Sequence, residues 1–214
     1  PSLSIIKSGD FNLLHNFGIR SFFAGVLAGN QSMVGIENTG LGFSALNHNT
    51  SGESNTGVGS NSLVANTSGT QNTAVGAFSL YENMSGNNNT AIGASALLKN
   101  TIGSENIAIG RIALGANTAG FANVANGGGG SLRKNTVGNE NVAIGFSSLP
   151  NNISGNSNTV IGSSAGDANA TGSNNTFIGA RAGSLSFSWL TNATAVGYNT
   201  QVASSNSLIL VDNV

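Results

Sequence analysis

The chain contains no cysteine, two prolines and one tryptophan, and only 7% of its 214 residues are charged. Without cysteine there is neither a disulfide framework nor a thiolate zinc site. Seven Lys and Arg stand against eight Asp and Glu, a net charge of −1, and the scattered basic residues form no footprint for a nucleic-acid backbone. No apolar run approaches the roughly 20 residues of a membrane helix, and the start lacks the charged and apolar regions of a signal peptide. The sequence therefore predicts a segment that contacts neither nucleic acid nor membrane and carries no cofactor. It begins at Pro1 and ends within the strand-like run SLILVDNV, which is expected of a module from a longer chain whose anchor lies elsewhere.

What the chain has in abundance is Gly, at 31, and Asn, at 33, beside 39% hydrophobic residues. The apolar positions recur at fixed places, which argues for order rather than a low-complexity tract. Asn72 to Asn88 reads NTAVGAFSLYENMSGNN and is followed by NTAIGASALLKNTIGSE. Taking the Gly that ends each NTAVG-like run as the start of a unit gives Gly25, Gly42, Gly59, Gly76, Gly93, Gly110, Gly128, Gly145, Gly162, Gly179 and Gly197. The spacing is 17, with 18 at Gly110–Gly128 and at Gly179–Gly197.

Ten residues after each start stands a second Gly, a column broken only by Trp189, and four after it stands a Leu column from Leu46 to Leu149. Thirteen after it stand Asn38, Asn55, Asn72, Asn89, Asn106, Asn123, Asn141, Asn158, Asn175 and Asn192. Seventeen residues are too few for a helix pair, and β-branched residues with paired Gly argue for strands and turns. The prediction is an all-β solenoid of about eleven coils, each with two strands of about five residues and two tight turns. The Asn column is expected to form an internal amide ladder that satisfies buried turn groups. Sequon-like runs such as Asn49-Thr50-Ser51 follow from the repeat itself.

In Thr73-Ala74-Val75-Gly76, alternation separates Thr73 and Val75 from Ala74 and Gly76. Val75 and Leu80 are predicted to line the core, and Tyr81 and Glu82 to face outward. The small residues of the Ala74 column are expected to meet another chain, because a strand apolar on both faces is normally covered on both. Glu37, Glu53, Glu105 and Glu140, and Glu82, Lys99, Arg133, Lys134 and Asp167, fall at two places in the unit, which should be solvated corners.

The runs NTAVG, NTAIG, NIAIG and NVAIG resemble the head repeats of trimeric autotransporter adhesins, the YadA-like heads. The segment from Asn192 to Leu210, with 14 residues between Asn192 and Asn206, resembles that family's shorter coil. The 17-residue units are more similar to the NTAIG-type arrays of other bacterial surface proteins and of phage-like fibres. The resemblance spans Phe22 to Leu210 and implies a left-handed parallel β-roll, a parallel homotrimer and display on a stalk outside the cell. It implies no catalytic residues.

Motifs that carry chemistry elsewhere read differently here. His15 and His48 stand alone, with no helix to assemble a zinc site. Gly40-Leu41-Gly42-Phe43-Ser44-Ala45 mimics a dinucleotide fingerprint but is a repeat junction. Gly127 to Gly130 reads as a slack loop, and Glu105 and Glu140 as stacked solvated corners rather than a carboxylate pair. The rank Thr39, Thr56, Thr73, Thr90, Thr159, Thr176 and Thr194 has the spacing of an ice-binding face, but it is interrupted and is expected to pack indoors.

Two regions leave the repeat. SLSFSWL, Ser184 to Leu190, brings Phe187, Trp189 and Leu190 to a place where corner residues belong. These are the candidate ligand contacts, since exposed aromatics anchor glycans and proteins. The rival reading, which we favour, has Phe187 and Trp189 plugging the joint between coil lengths. Residues 1–21 form an expected cap or connector, with Ile5, Ile6, Phe11, Leu13, Leu14 and Phe17 covering the first coil. Residues 22–191 are the repeat array, and 192–214 the final 14-residue coil and exit. The expected function is a non-enzymatic adhesin head, cell-surface anchored or secreted, that binds a host or neighbouring cell's glycan or matrix protein. The alternatives are a phage or virus fibre segment and an ice-binding solenoid.

Overall fold

A computed structural model describes residues 6–9, 11–16, 19–185 and 188–210. The strands, in chain order, are β1 (Ile6–Ser8), β2 (Phe11–His15), β3 (Phe22–Ala24), β4 (Thr39–Leu41), β5 (Thr56–Val58), β6 (Thr73–Val75), β7 (Thr90–Ile92), β8 (Ile107–Ile109), β9 (Val124–Asn126), β10 (Val142–Ile144), β11 (Thr159–Ile161), β12 (Thr176–Ile178), β13 (Gly183–Ser184), β14 (Thr194–Val196), β15 (Gln201–Val202) and β16 (Leu208–Leu210). From β3 to β12, then β14 and β16, every neighbouring pair is parallel, so the repeat is a β-solenoid of about eleven coils. The hairpin of β1 and β2 pairs antiparallel onto β3 and covers the first edge. Ile5 and Phe17, expected in that cap, lie outside the described residues.

Each regular coil holds one strand of three residues, not two of about five, and turns make up the rest. A second parallel pair, β13 with β15, forms only at the C-terminal end. The irregular spacing also falls elsewhere than expected. Ile109 pairs with Asn126 and Ile144 with Asn126, so Gly127, not Gly128, is the corner of its coil and the extra residue follows it. From β14 to β16 the register advances 14 residues, Thr194 to Leu208, as the spacing from Asn192 predicted.

The interior of a coil is narrow, and this decides what enters it. Ala74, Ala91, Ala108, Ala125 and Ala143 are fully buried, facing the buried column Leu46, Leu63, Leu80, Leu97, Leu114, Leu132 and Leu149. Each of these leucines takes a left-handed backbone, with φ between 49° and 55°. That conformation costs about 1–2 kcal/mol, which burial of a whole Leu side chain, about 1.5–3 kcal/mol, offsets. Toward the ends the large and small partners change places. Phe23 and Phe177 stand in the Ala column, and Gly29 and Gly166 in the Leu column. A Cβ on Gly29 would lie 2.6 Å from the Phe23 ring, and one on Gly166 3.1 Å from Leu149, 3.2 Å from Val160 and 3.4 Å from the Phe177 ring.

Polar groups fill the other half of the interior. Asn72 donates from Nδ2 to Asn55 Oδ1 (3.1 Å) and to the Gly86 carbonyl (2.8 Å), and its main-chain N–H donates to the same Asn55 oxygen (3.0 Å). The Asn-to-Asn bond recurs at each step from Asn38 to Asn175. A second ladder, unforeseen above, joins the buried Asn49, Asn66, Asn83, Asn100, Asn117, Asn135, Asn152 and Asn169. Asn83 donates to Asn66 Oδ1 (2.8 Å) and also to the Gly86 carbonyl (3.0 Å), so that one carbonyl serves both ladders. In both, each coil donates to the coil before it. At the start, Ser21 Oγ accepts the Asn38 N–H and Met33 Sδ accepts from Asn49.

Asn192 is the exception among the predicted ladder residues. The extra residue of its coil precedes Leu190, so Ala193 occupies the ladder position and gives its N–H to Asn175 Oδ1 (2.9 Å). Asn192 is exposed and bonds to Asn206 instead (2.9 Å).

Truncating a ladder residue in mid-stack, Asn106→Ala, should cost about 3 kcal/mol, because it leaves buried donors and acceptors unpaired. Asn192→Ala should change stability by less than about 0.5 kcal/mol. Denaturant unfolding followed by circular dichroism measures both. The exchanged core pair gives a second check. Phe177→Ala alone should cost about 3–5 kcal/mol and Gly166→Leu alone about 1–3, whereas the double substitution should cost less than their sum by at least about 1 kcal/mol.

Candidate functional site

The outward face of the sheet reverses the predicted assignment of the strand residues. The small residues of the Ala74 column point into their own coil, because only they fit beside Leu and Asn there. Val75, Ile92, Ile109, Ile144, Ile161 and Ile178, expected in the core, lie outside and are 36–41% exposed. Two residues before each stands the Thr column, half-buried and on the same outer face rather than indoors. Ile107, Val124 and Val142 replace Thr in that rank, and Asn126 is the one polar residue in the Val/Ile rank. The stripe continues into Leu208 and Leu210, both more than 60% exposed. A parallel sheet is normally covered on both faces, and here, among the described residues, no other element of the chain covers the outer one.

Among the described residues, charged side chains keep off this stripe. Glu82, Lys99, Arg133, Lys134 and Asp167 sit on exposed turns, as do Glu53, Glu105 and Glu140, and Arg20 meets Glu37 at 2.9 Å. Glu82 is exposed as expected, and Tyr81 is half-buried, tilted against the exposed Phe78 ring.

Of the three candidate ligand contacts, Trp189 and Leu190 are described, and they differ in burial. Trp189 is 60% exposed, so it does not plug the joint between coil lengths. Leu190 is buried at 1%, and its carbonyl takes the place of the missing corner Gly by accepting from Asn175 Nδ2 (2.6 Å). It is therefore Leu190, not Trp189, that stands in the Gly column, and it is a core residue. Phe187 lies outside the described residues.

The remaining motifs are structural. His15 is buried, with Nε2 2.8 Å from the Ala28 carbonyl and its ring stacked on Phe23 at 5.3 Å. Burial holds its pKa below the usual histidine value, partly opposed by that hydrogen bond. His48 is exposed on a turn. Among the described residues no three His, Cys, Asp or Glu side chains cluster as metal ligands, and no helix is long and apolar enough to cross a membrane. Gly40 to Ala45 runs from β4 through a coil corner, with no helix to receive a phosphate. Gly127 to Gly130 forms the enlarged turn, where Gly129 packs close against the Phe146 ring.

No protein-family model matches the chain, and no curated protein matches its sequence.

The aromatic segment yields a paired prediction. Trp189→Ala should leave thermal stability within about 0.5 kcal/mol of the parent, as for an exposed side chain. Leu190→Ala should lower it by about 2–5 kcal/mol. Indole fluorescence should report a wet Trp189, readily quenched by acrylamide in the folded protein.

Proposed function

We propose that the chain is a non-enzymatic fibre module, an adhesin head displayed at a cell surface, that works as a parallel homotrimer and attaches to a glycan or matrix protein of another surface. The observation that carries this reading is the bare Val/Ile stripe on the outer face of the sheet. An apolar band of this kind, broken by Asn126, marks an interaction surface, and copies arranged around an axis parallel to the stack would bury it along their length. The number three and the left-handed coil come from the resemblance of NTAVG and NTAIG to the YadA-like heads. About eleven coils at roughly 4.8 Å each make a rod on the order of 50 Å. Weak contacts repeated along three such rods would gain avidity. The shaft of a phage or viral fibre would rest on the same stripe.

The outward Thr rank supports a second reading. Thr39, Thr56, Thr73 and Thr90 stand on four successive strands, each two residues before Leu41, Val58, Val75 or Ile92. A flat array of methyl and hydroxyl groups at strand spacing also fits ice. The two readings need the same face and are mutually exclusive.

Light scattering should give a particle of three times 21.3 kDa. Ile92→Glu with Ile109→Glu should dissociate it, because charges would then be buried unpaired, while Met84→Glu on the exposed turn should not. A stable monomer overturns the assembly, and a monomer that shows thermal hysteresis moves the stripe to ice.

A further inference from the structure

Near the C-terminal end, where a coil of 18 residues is followed by one of 14, lies a cleft of about 390 Å³. Its rim brings together Ser164 and Asp167 from one coil, Arg181, Gly183 and Leu185 from the next, and Gln201 from β15. It lies beside β13, where Gly183 pairs with Gln201 and Ser184 with Val202 of β15. The size lies at the low end of the range for small-ligand sites, about 300–1,000 Å³.

Its polar groups are held in place but not all used. Asp167 is fixed by Asn151, whose Nδ2 donates to the Asp167 carbonyl (2.9 Å) and to Oδ1 (3.0 Å). Gln201 donates from Nε2 to the Arg181 carbonyl (2.7 Å), which leaves its amide oxygen as an acceptor. The Arg181 side chain is exposed and, among the described residues, pairs with no carboxylate, although Asp167 lines the same cleft. The half-buried Ser164 adds a hydroxyl, and the exposed Leu185 an apolar patch.

We infer that this cleft binds a carboxylate-bearing sugar. A guanidinium is the natural partner of a carboxylate, and Arg181 is the one cation lining the cleft, with no carboxylate on it among the described residues. The sugar's hydroxyls donate to the Asp167 carboxylate and the Gln201 oxygen and share a bond with Ser164, and one ring face lies on Leu185. Asp167 has no cationic partner among the described residues either and accepts one neutral hydrogen bond from Asn151, so its second oxygen is left for the sugar's hydroxyls while the acid group sits on Arg181. This inference rests on the attachment reading above and names the class of surface sugar that a single chain would hold.

The test is calorimetric titration of the full chain with the methyl glycosides of glucuronic acid and N-acetylneuraminic acid, and with methyl glucoside as the neutral arm. The expected Kd for at least one acid is on the order of 1 mM, with the neutral sugar at least tenfold weaker. Arg181→Gln should weaken acid binding at least tenfold and Gln201→Ala by less, while Trp189→Ala leaves it unchanged, all with melting curves like the parent's. Equal binding of neutral and acidic sugars, no saturable acid binding by the parent, or a folded Arg181→Gln chain that binds as the parent does would each overturn the cleft. Capture on a glycan and matrix-protein array separates the two readings. A folded parent captured there without acid-sugar binding loses the cleft and keeps the attachment function, whereas acid-sugar binding without capture keeps the cleft and loses the attachment function.

Discussion

Everything in this solenoid depends on how one inward carbonyl per coil is satisfied. The turn that carries Gly69 or Gly86 aims its C=O into the coil, where water cannot follow, and two asparagine side chains from opposite sides of the interior reach it. A buried carbonyl left alone would cost about 1–3 kcal/mol in every coil. The same arrangement excludes any side chain at that glycine. A Cβ on Gly69 would lie 2.4 Å from Asn66 Oδ1 and 2.5 Å from the Gly86 carbonyl. Here Gly is needed for close approach, whereas at the corner Gly76, with φ of 132°, both conformation and contact require it.

With two amide ladders and a Leu column inside, little volume is left. Only Ala or Gly fits opposite the Leu in most coils, and a Phe enters only where the facing Leu has become Gly. Larger β-branched residues are therefore driven outward, although they favour strands. The apolar face of the rod thus follows from the economy of its interior and is a by-product of the coil's thinness.

The period, the parallel stacking, the wet corners and nine members of the first ladder were legible in the sequence, because each is a column of one residue type. The second ladder was equally legible, as a column of Asn seven residues past most corners. The two faces of the strand were not legible. Hydrophobicity ranks Val75 above Ala74 for burial, and the interior's width, which no column states, decides the opposite. The irregular coils failed for a simpler reason. GGGG offers adjacent candidates for one corner, and an extra residue before Leu190 shifts Asn192 off the ladder while keeping its apparent spacing. At the candidate site, Trp189 and Leu190 are neighbours in sequence and opposites in burial, while Ser164, Arg181 and Gln201 belong to no motif and meet beside the β13–β15 pair.

The two ladders also share a direction, since every amide donates to the coil before it. A coil placed upside down would set donors against donors, so the stack can grow in one orientation only. In that orientation each new coil meets the same partners as its neighbours. Duplication or loss of a whole unit then creates no unfamiliar contact, and the reach of the rod becomes a heritable quantity that changes in single steps by copy number.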